Sequence, residues 1–129
     1  MDLFGQLRGM RLLLVDDDEW IRDSLSLYFE GEGCRLATVG TAEEAMEEIK
    51  RQVYDIIIVD YRLPGMDGIE FLEKVKDSYP DALTLLITAY GSRDLFLKAR
   101  EIGVQGFVDK PFTIETIEDS LSGLIKKKS

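Results

Sequence analysis

Two apolar runs organise the pattern of hydrophobic and polar positions: Leu12-Leu13-Leu14-Val15 and Ile56-Ile57-Ile58-Val59, each closed by a carboxylate. Short runs without alternation fit strands buried on both faces, as in a parallel sheet covered by helices. The segments between are helical in period. Ile21, Leu25, Tyr28 and Phe29 recur at i, i+4, i+7 and i+8, predicting a helix over about Glu19 to Glu30 that Gly31 or Gly33 terminates. A second helix, with the stripe Ala42, Ala45, Met46 and Ile49, opens at a Thr41–Glu44 capping box and ends near Gln52. Ile69, Leu72, Val75 and Tyr79 mark a third, stopped by Pro80. A fourth runs from about Arg93 to Ile102, where Gly103 stops it, and Thr113 caps a last one with the stripe Ile114, Ile117, Leu121 and Leu124.

Strands are predicted at Arg11 to Val15, Cys34 to Val39, Asp55 to Asp60, Leu83 to Thr88 and Gly106 to Asp109. The third is almost wholly β-branched and belongs at the centre of the sheet; the mixed second belongs nearer an edge. Strand and helix alternate throughout, so the expectation is an α/β fold with one parallel sheet and helices on both sides. Leu95, Phe96 and Leu97 are consecutive and cannot all face that sheet. Part of their helix therefore presents apolar surface to solvent or a partner, unless this is one ordinary exposed side chain. Residues 1–9, interrupted by Gly5 and Gly9, read as a lead-in without chemistry, 10–125 as the domain and 126–129 as a basic tail. Lys126-Lys127-Lys128 suits the negative end of the last helix better than it suits a binding patch.

Composition narrows the chemistry. A chain of 129 residues suits one domain with a core of its own. One cysteine, Cys34, allows no internal disulfide and fits a reducing compartment, with the cytoplasm as the default. No stretch is long enough to span a membrane, and Met1 to Met10 lacks the apolar region of a signal peptide. A net charge of −9 works against nucleic-acid binding. The absence of histidine removes His-based metal sites, Ser-His-Asp and Cys-His nucleophiles, and any phosphohistidine carried by this chain.

What remains gathers at the strand ends: Asp16 and Asp17 after the first, Asp60 after the third, Thr88 after the fourth and Lys110 after the fifth. Open parallel sheets bind ligands outside these carboxyl ends. Crowded carboxylates repel, so the cluster calls for a hard divalent cation with oxygen ligands, Mg²⁺ first and Mn²⁺ as an alternative. Such an ion leaves Asp60 partly free as a nucleophile, while the Lys110 ammonium and Thr88 hydroxyl suit the equatorial oxygens of a transferring phosphoryl group.

These residues resemble a known family. Leu13-Leu14-Val15-Asp16-Asp17-Asp18-Glu19, Ile58-Val59-Asp60 with Leu63-Pro64-Gly65-Met66-Asp67-Gly68, Thr88-Ala89 and Lys110-Pro111-Phe112 resemble, in order, the acidic pair, phosphorylation site, switch hydroxyl and lysine motif of the response-regulator receiver domain. The resemblance covers about Met10 to Leu124. It implies a flavodoxin-like (βα)5 fold with strand order 2-1-3-4-5 and an aspartyl phosphate at Asp60. It further implies Mg²⁺ held by Asp17, Asp60 and the Arg62 carbonyl, with Asp16 reaching the ion through water, and phosphoryl oxygens gripped by Lys110 and Thr88. A cis Lys110–Pro111 bond is implied as well. Phe107 stands where the family often has an aromatic that turns inward with the switch, although an aromatic there serves equally as plain core. Arg62 and Tyr90, two residues after Asp60 and Thr88, occupy positions the family varies and are large enough to screen the phosphoryl group, which would tune its lifetime.

The implied role is a phosphoacceptor rather than a turnover enzyme. A partner histidine kinase or histidine phosphotransfer protein supplies the phosphoryl group, and the target binds at the face formed by the fourth helix, fifth strand and last helix. The chain acts as a monomer or as a phosphorylation-dependent dimer. Two rivals differ in class. A phosphohydrolase of the haloacid dehalogenase type places its nucleophile after the first strand in Asp-x-Asp-x-Thr/Val, which Asp16-Asp17-Asp18-Glu19-Trp20 does not complete, and it needs a cap domain. A non-phosphorylated adaptor would ordinarily lack one of the chemical residues; all are present.

Overall fold

A computed structural model describes residues 2–128, apart from the side chains of 127 and 128. The elements are α1 (Leu3–Leu7), β1 (Arg11–Val15), α2 (Glu19–Gly31), β2 (Arg35–Val39), α3 (Ala42–Arg51), β3 (Ile56–Asp60), α4 (Gly68–Ser78), β4 (Leu83–Thr88), α5 (Arg93–Glu101), β5 (Gly106–Asp109) and α6 (Ile114–Lys128). The five strands are all parallel in the order β2-β1-β3-β4-β5. β3 lies at the centre and every residue in it is buried; β2 lies at an edge and is only partly buried.

Because side chains alternate along a strand, each central strand feeds two cores. Leu13, Val15, Ile57, Val59 and Leu86 face the layer of α3, α4 and α5, where they meet Ala45, Ile49, Phe71, Leu72, Val75 and Ala99. Leu12, Leu14, Ile56, Ile58, Leu85 and Ile87 face α1, α2 and α6 and pack on Leu25, Phe29, Ile117, Leu121 and Leu124. Each such aliphatic side chain contributes about 1.5–3 kcal/mol relative to exposure. The apolar runs are thus unbroken because both sides of the sheet are covered.

Several local expectations are modified. Residues 2–9 are more than a lead-in, Met1 lying outside the described residues: Asp2 caps α1 by accepting from Gly5 N–H at 2.9 Å, and Leu7 is wholly buried in the α2/α6 core. Five residues give too short a window for periodicity to register. Gly33, with φ +78, rather than Gly31, takes the left-handed conformation after α2. Tyr79 is the C-cap of α4, not part of the helix. At α3, Thr41 Oγ1 accepts from Glu44 N–H at 3.1 Å, but Glu44 Oε1 reaches back to Gly40 N–H at 3.3 Å, one residue before the cap. Lys126 lies within α6, which continues to Lys128. The side chains of Lys127 and Lys128 and the whole of Ser129, part of the expected tail, lie outside the described residues.

Candidate functional site

The carboxyl ends of β1, β3, β4 and β5 meet where the strand order reverses between β1 and β3, the place where an open α/β sheet leaves a crevice. Asp16 follows β1 and is completely buried. Its Oδ1 accepts from Asp18 N–H at 2.9 Å, and Asp18 in turn caps α2 by accepting from Trp20 N–H at 2.9 Å. Asp16 Oδ2 accepts no hydrogen bond, although the Lys110 ammonium stands 3.1 Å away. Asp17, next to it, is exposed.

Asp60 ends β3 with its carboxylate nearly buried. Lys110 Nζ donates to its Oδ2 at 2.8 Å and Arg62 N–H donates to its Oδ1 at 3.3 Å. Thr88 ends β4, buried, its Oγ1 accepting from Tyr90 N–H at 3.0 Å. Lys110 N–H donates to the Thr88 carbonyl at 2.9 Å, and the Lys110–Pro111 peptide is cis. The acids, hydroxyl and lysine singled out in the sequence therefore share one rim.

The electrostatics follow from this crowding. Burial pushes the Asp16 carboxyl above its ordinary range; the Asp18 N–H opposes the shift, Asp60 reinforces it and Lys110 opposes it. Burial works against the Lys110 ammonium, but its hydrogen bond to Asp60 and the close negative charge of Asp16 outweigh that and raise it. One lysine thus serves two carboxylates. Ligand atoms of Asp16, Asp17 and Asp60 lie within 4.8 Å of one another. An all-oxygen donor set, with one buried carboxylate oxygen lacking a hydrogen bond, fits a hard divalent cation.

Other residues hold this arrangement without having been apparent in the sequence. Arg22 Nη1 on α2 donates to the Asp16 carbonyl at 2.7 Å, fixing the loop that carries the acidic pair. Glu43 on α3 accepts from Met66 N–H at 3.3 Å and so reaches the loop after Asp60. Gly68 lets α4 start against β3: a Cβ there would lie 2.5 Å from the Asp60 carbonyl oxygen. Its sequence signal is the Asp67-Gly68 pair that ends the motif after Asp60, whereas the reach of Arg22 to a backbone carbonyl and of Glu43 to the loop at Met66 has no pattern of its own in the sequence.

The two residues after Asp60 and Thr88 touch each other. The Arg62 guanidinium carbon lies 4.6 Å from the centroid of the Tyr90 ring, on the exposed lip of the pocket. Phe107 on β5 is half-buried, with its ring edge-on to Phe96 at 5.1 Å between centroids. Beside Lys110 opens a mainly apolar cleft of about 390 Å³ lined by Asp18, Trp20, Ile21, Ala89, Lys110, Pro111 and Phe112. A larger cleft, about 500 Å³, lies at the opposite end of the sheet around Arg11 and Arg35 and includes none of these carboxylates.

Comparison with known proteins agrees with the geometry. The profile described as the response regulator receiver domain matches residues 12–122. The chain is 31% identical over 119 residues to sporulation initiation phosphotransferase F of Bacillus subtilis (strain 168), covering 92% of this chain and 96% of that protein. It is 34% identical over 109 residues to response regulator protein FleR of Pseudomonas aeruginosa, covering 84% of this chain but 23% of that longer protein. Among solved structures it superposes on the beryllofluoride-activated NtrC4 receiver domain dimer with a TM-score of 0.84 at 35% identity, covering 92% of this chain and 98% of that one. For Vibrio cholerae chemotaxis protein CheY4 the TM-score is 0.85 at 28% identity, covering 89% and 98%.

Proposed function

This chain belongs to the response regulator receiver domain family of two-component signalling, and on that premise we propose that Asp60 is its phosphoacceptor. The observation that carries the proposal is the Lys110 bridge: one ammonium 2.8 Å from Asp60 and 3.1 Å from Asp16, beside a buried hydroxyl at the end of the next strand. An Asp60 oxygen attacks phosphorus in line, and the phosphorus–nitrogen bond of a partner's phosphohistidine breaks with its electron pair passing to the imidazole. The donor is a histidine kinase or a histidine phosphotransfer protein, since this chain has no histidine.

Asp17, Asp60 and the Arg62 carbonyl are the groups that would hold Mg²⁺, or Mn²⁺ in its place, with Asp16 acting through water. When bound, the ion supplies positive charge against the phosphoryl oxygens. The chain's own contribution is to orient: Lys110 leaves its contact with the Asp60 carboxylate for a phosphoryl oxygen, and Thr88 gives up the Tyr90 N–H to follow it. Arg62 stacked on Tyr90 covers the lip and limits attack by water, which sets the lifetime. Displacement of Thr88 frees Phe107 to turn inward, and the face of α5, β5 and α6 is read by the target or by a second copy of the chain. This is a charge event coupled to a bistable element, and signalling rather than turnover is its output.

The phosphohydrolase alternative is disfavoured by Asp16, whose one oxygen is tied to a backbone N–H and whose other faces Lys110 in a wholly buried position. The test is intact-mass measurement after mixing with Mg²⁺ and acetyl phosphate. Wild type is expected to gain one base-labile phosphoryl group and Asp60→Asn none; an adduct that persists in Asp60→Asn, or a folded wild type that gains none, overturns the assignment.

A further inference from the structure

Thr88 and Phe107 lie on the paired strands β4 and β5, and a second ring, Phe96, touches both the loop after Thr88 and Phe107. Thr88 Oγ1 is bonded to Tyr90 N–H at 3.0 Å, so displacement of this hydroxyl disturbs the backbone at 90 and 91. Gly91 follows. A Cβ built on Gly91 would lie 2.8 Å from Phe96 Cζ and 3.4 Å from Phe96 Cε2, so the Phe96 ring rests against the bare Gly91 backbone. The same ring meets Phe107 in a T-shaped contact, with centroids 5.1 Å apart and planes at 85°.

Gly91 is not among the glycines with positive φ, so what a side chain at this position would meet is the tip of the Phe96 ring and not a backbone conformation reserved for glycine. The backbone that carries the ring is anchored: Ser92 caps α5 by accepting from Leu95 N–H at 3.1 Å, and the Ser92 carbonyl accepts from Phe96 N–H at 3.0 Å. Phe96 therefore sits in the first turn of a helix whose cap belongs to the loop that must move.

We infer that Phe96 is a positioning residue of the switch: its ring, in contact with both Gly91 and Phe107, transmits the loop's displacement to Phe107. While the loop is at rest, Gly91 supports Phe96 and Phe96 holds the edge of Phe107. When Thr88 moves toward the phosphoryl group, Gly91 withdraws, Phe96 follows into the vacated space, and Phe107 loses the contact that keeps it where it is. Packed rings of this kind change by steps and not by gradual deformation, because close packing leaves few intermediate arrangements. The inference rests on the phosphoacceptor reading and adds to it the residue that couples pocket to surface.

The experiment uses the whole chain carrying a ¹⁹F-labelled phenylalanine at 107, with ³¹P NMR run in parallel, before and after Mg²⁺ and acetyl phosphate. Gly91→Ala crowds Phe96 in the resting state and, by displacing the ring that touches Phe107, is expected to shift the Phe107 signal without any donor. Phe96→Leu is expected to form the aspartyl phosphate at the wild-type rate yet lose the Phe107 displacement, and Phe96→Tyr, which keeps the ring, to restore it. A full Phe107 displacement in phosphorylated Phe96→Leu overturns the relay while leaving Asp60 as acceptor. An unmoved Phe107 signal in unphosphorylated, folded Gly91→Ala overturns it as well, with no donor needed. Absence of any ³¹P adduct in wild type instead refutes the phosphoacceptor reading.

Discussion

Replacing Lys110 with methionine removes the charge that joins two buried carboxylates while keeping most of the apolar stem. The ammonium stands 2.8 Å from Asp60 and 3.1 Å from Asp16. At an effective dielectric of about 20, each contact is attractive by roughly 5–6 kcal/mol. Desolvation of the lysine offsets much of that, and removing one partner from a buried pair costs about 3–5 kcal/mol. The Lys110 side chain is 18% exposed, so the lower end applies: Lys110→Met should destabilise by about 3 kcal/mol at neutral pH. With a urea slope of about 1.5–2 kcal/mol per M, the unfolding midpoint falls by about 1.5–2 M. The pH dependence has a definite sign. Asp16 already has a folded pKa above its ordinary 3.8 because of burial, and losing Lys110 raises it further. A raised carboxyl pKa disfavours the folded state only while that group is charged, so the penalty is full above the folded pKa and fades as pH falls toward 3.8. Adding Asp16→Asn should recover most of the loss at neutral pH. Urea midpoints at about pH 7 and about pH 4, for wild type, Lys110→Met and the double variant, decide the matter. A loss of equal size at both pH values, with no recovery in the double variant, would assign it to packing and sink the electrostatic account.

Four further predictions concern the lip, α1, the start of α4 and α6. Arg62→Ala and Tyr90→Ala should each speed dephosphorylation by about 2- to 5-fold, the scale of one exposed cation–π contact, and the double variant should be little faster than either single one; additive effects in a radiolabel decay assay would mean the stack does not act as a unit. Leu7→Ala should lower stability by about 2–4 kcal/mol by leaving a cavity between α1 and the α2/α6 core, whereas a calorimetric loss under about 0.5 kcal/mol would show that α1 is not packed there. Gly68→Ala should cost about 2–3 kcal/mol and slow phosphoryl uptake, since its Cβ would meet backbone atoms 2.5 and 2.9 Å away. Gly123→Ala in α6, with nothing within 4 Å, should instead stabilise by about 1 kcal/mol, and denaturation curves of equal midpoint would contradict both.

The strands and their burial were legible because a sheet covered on both faces leaves an unbroken apolar signature, as in Ile56-Ile57-Ile58-Val59. The rim was legible because Asp16, Asp60, Thr88 and Lys110 each stand at the end of such a run or directly after it, and parallel strands bring all their carboxyl ends to one side. Leu7 was missed because five helical residues carry too little periodicity, and the reach of Glu44 to Gly40 was missed because a capping box specifies spacing but not which N–H the carboxylate finds.

Sequence alone thus determined the alternation of elements, the parallel sheet and the inventory of chemistry, since these depend on period and on order along the chain. Only the tertiary structure decided which groups meet. It brought Lys110 between two acids, stacked Arg62 on Tyr90, sent Arg22 to the Asp16 carbonyl and set Phe96 against both Gly91 and Phe107. Those contacts depend on where helices and loops settle against the sheet, and that is fixed by close packing of the whole chain rather than by any local run of residues.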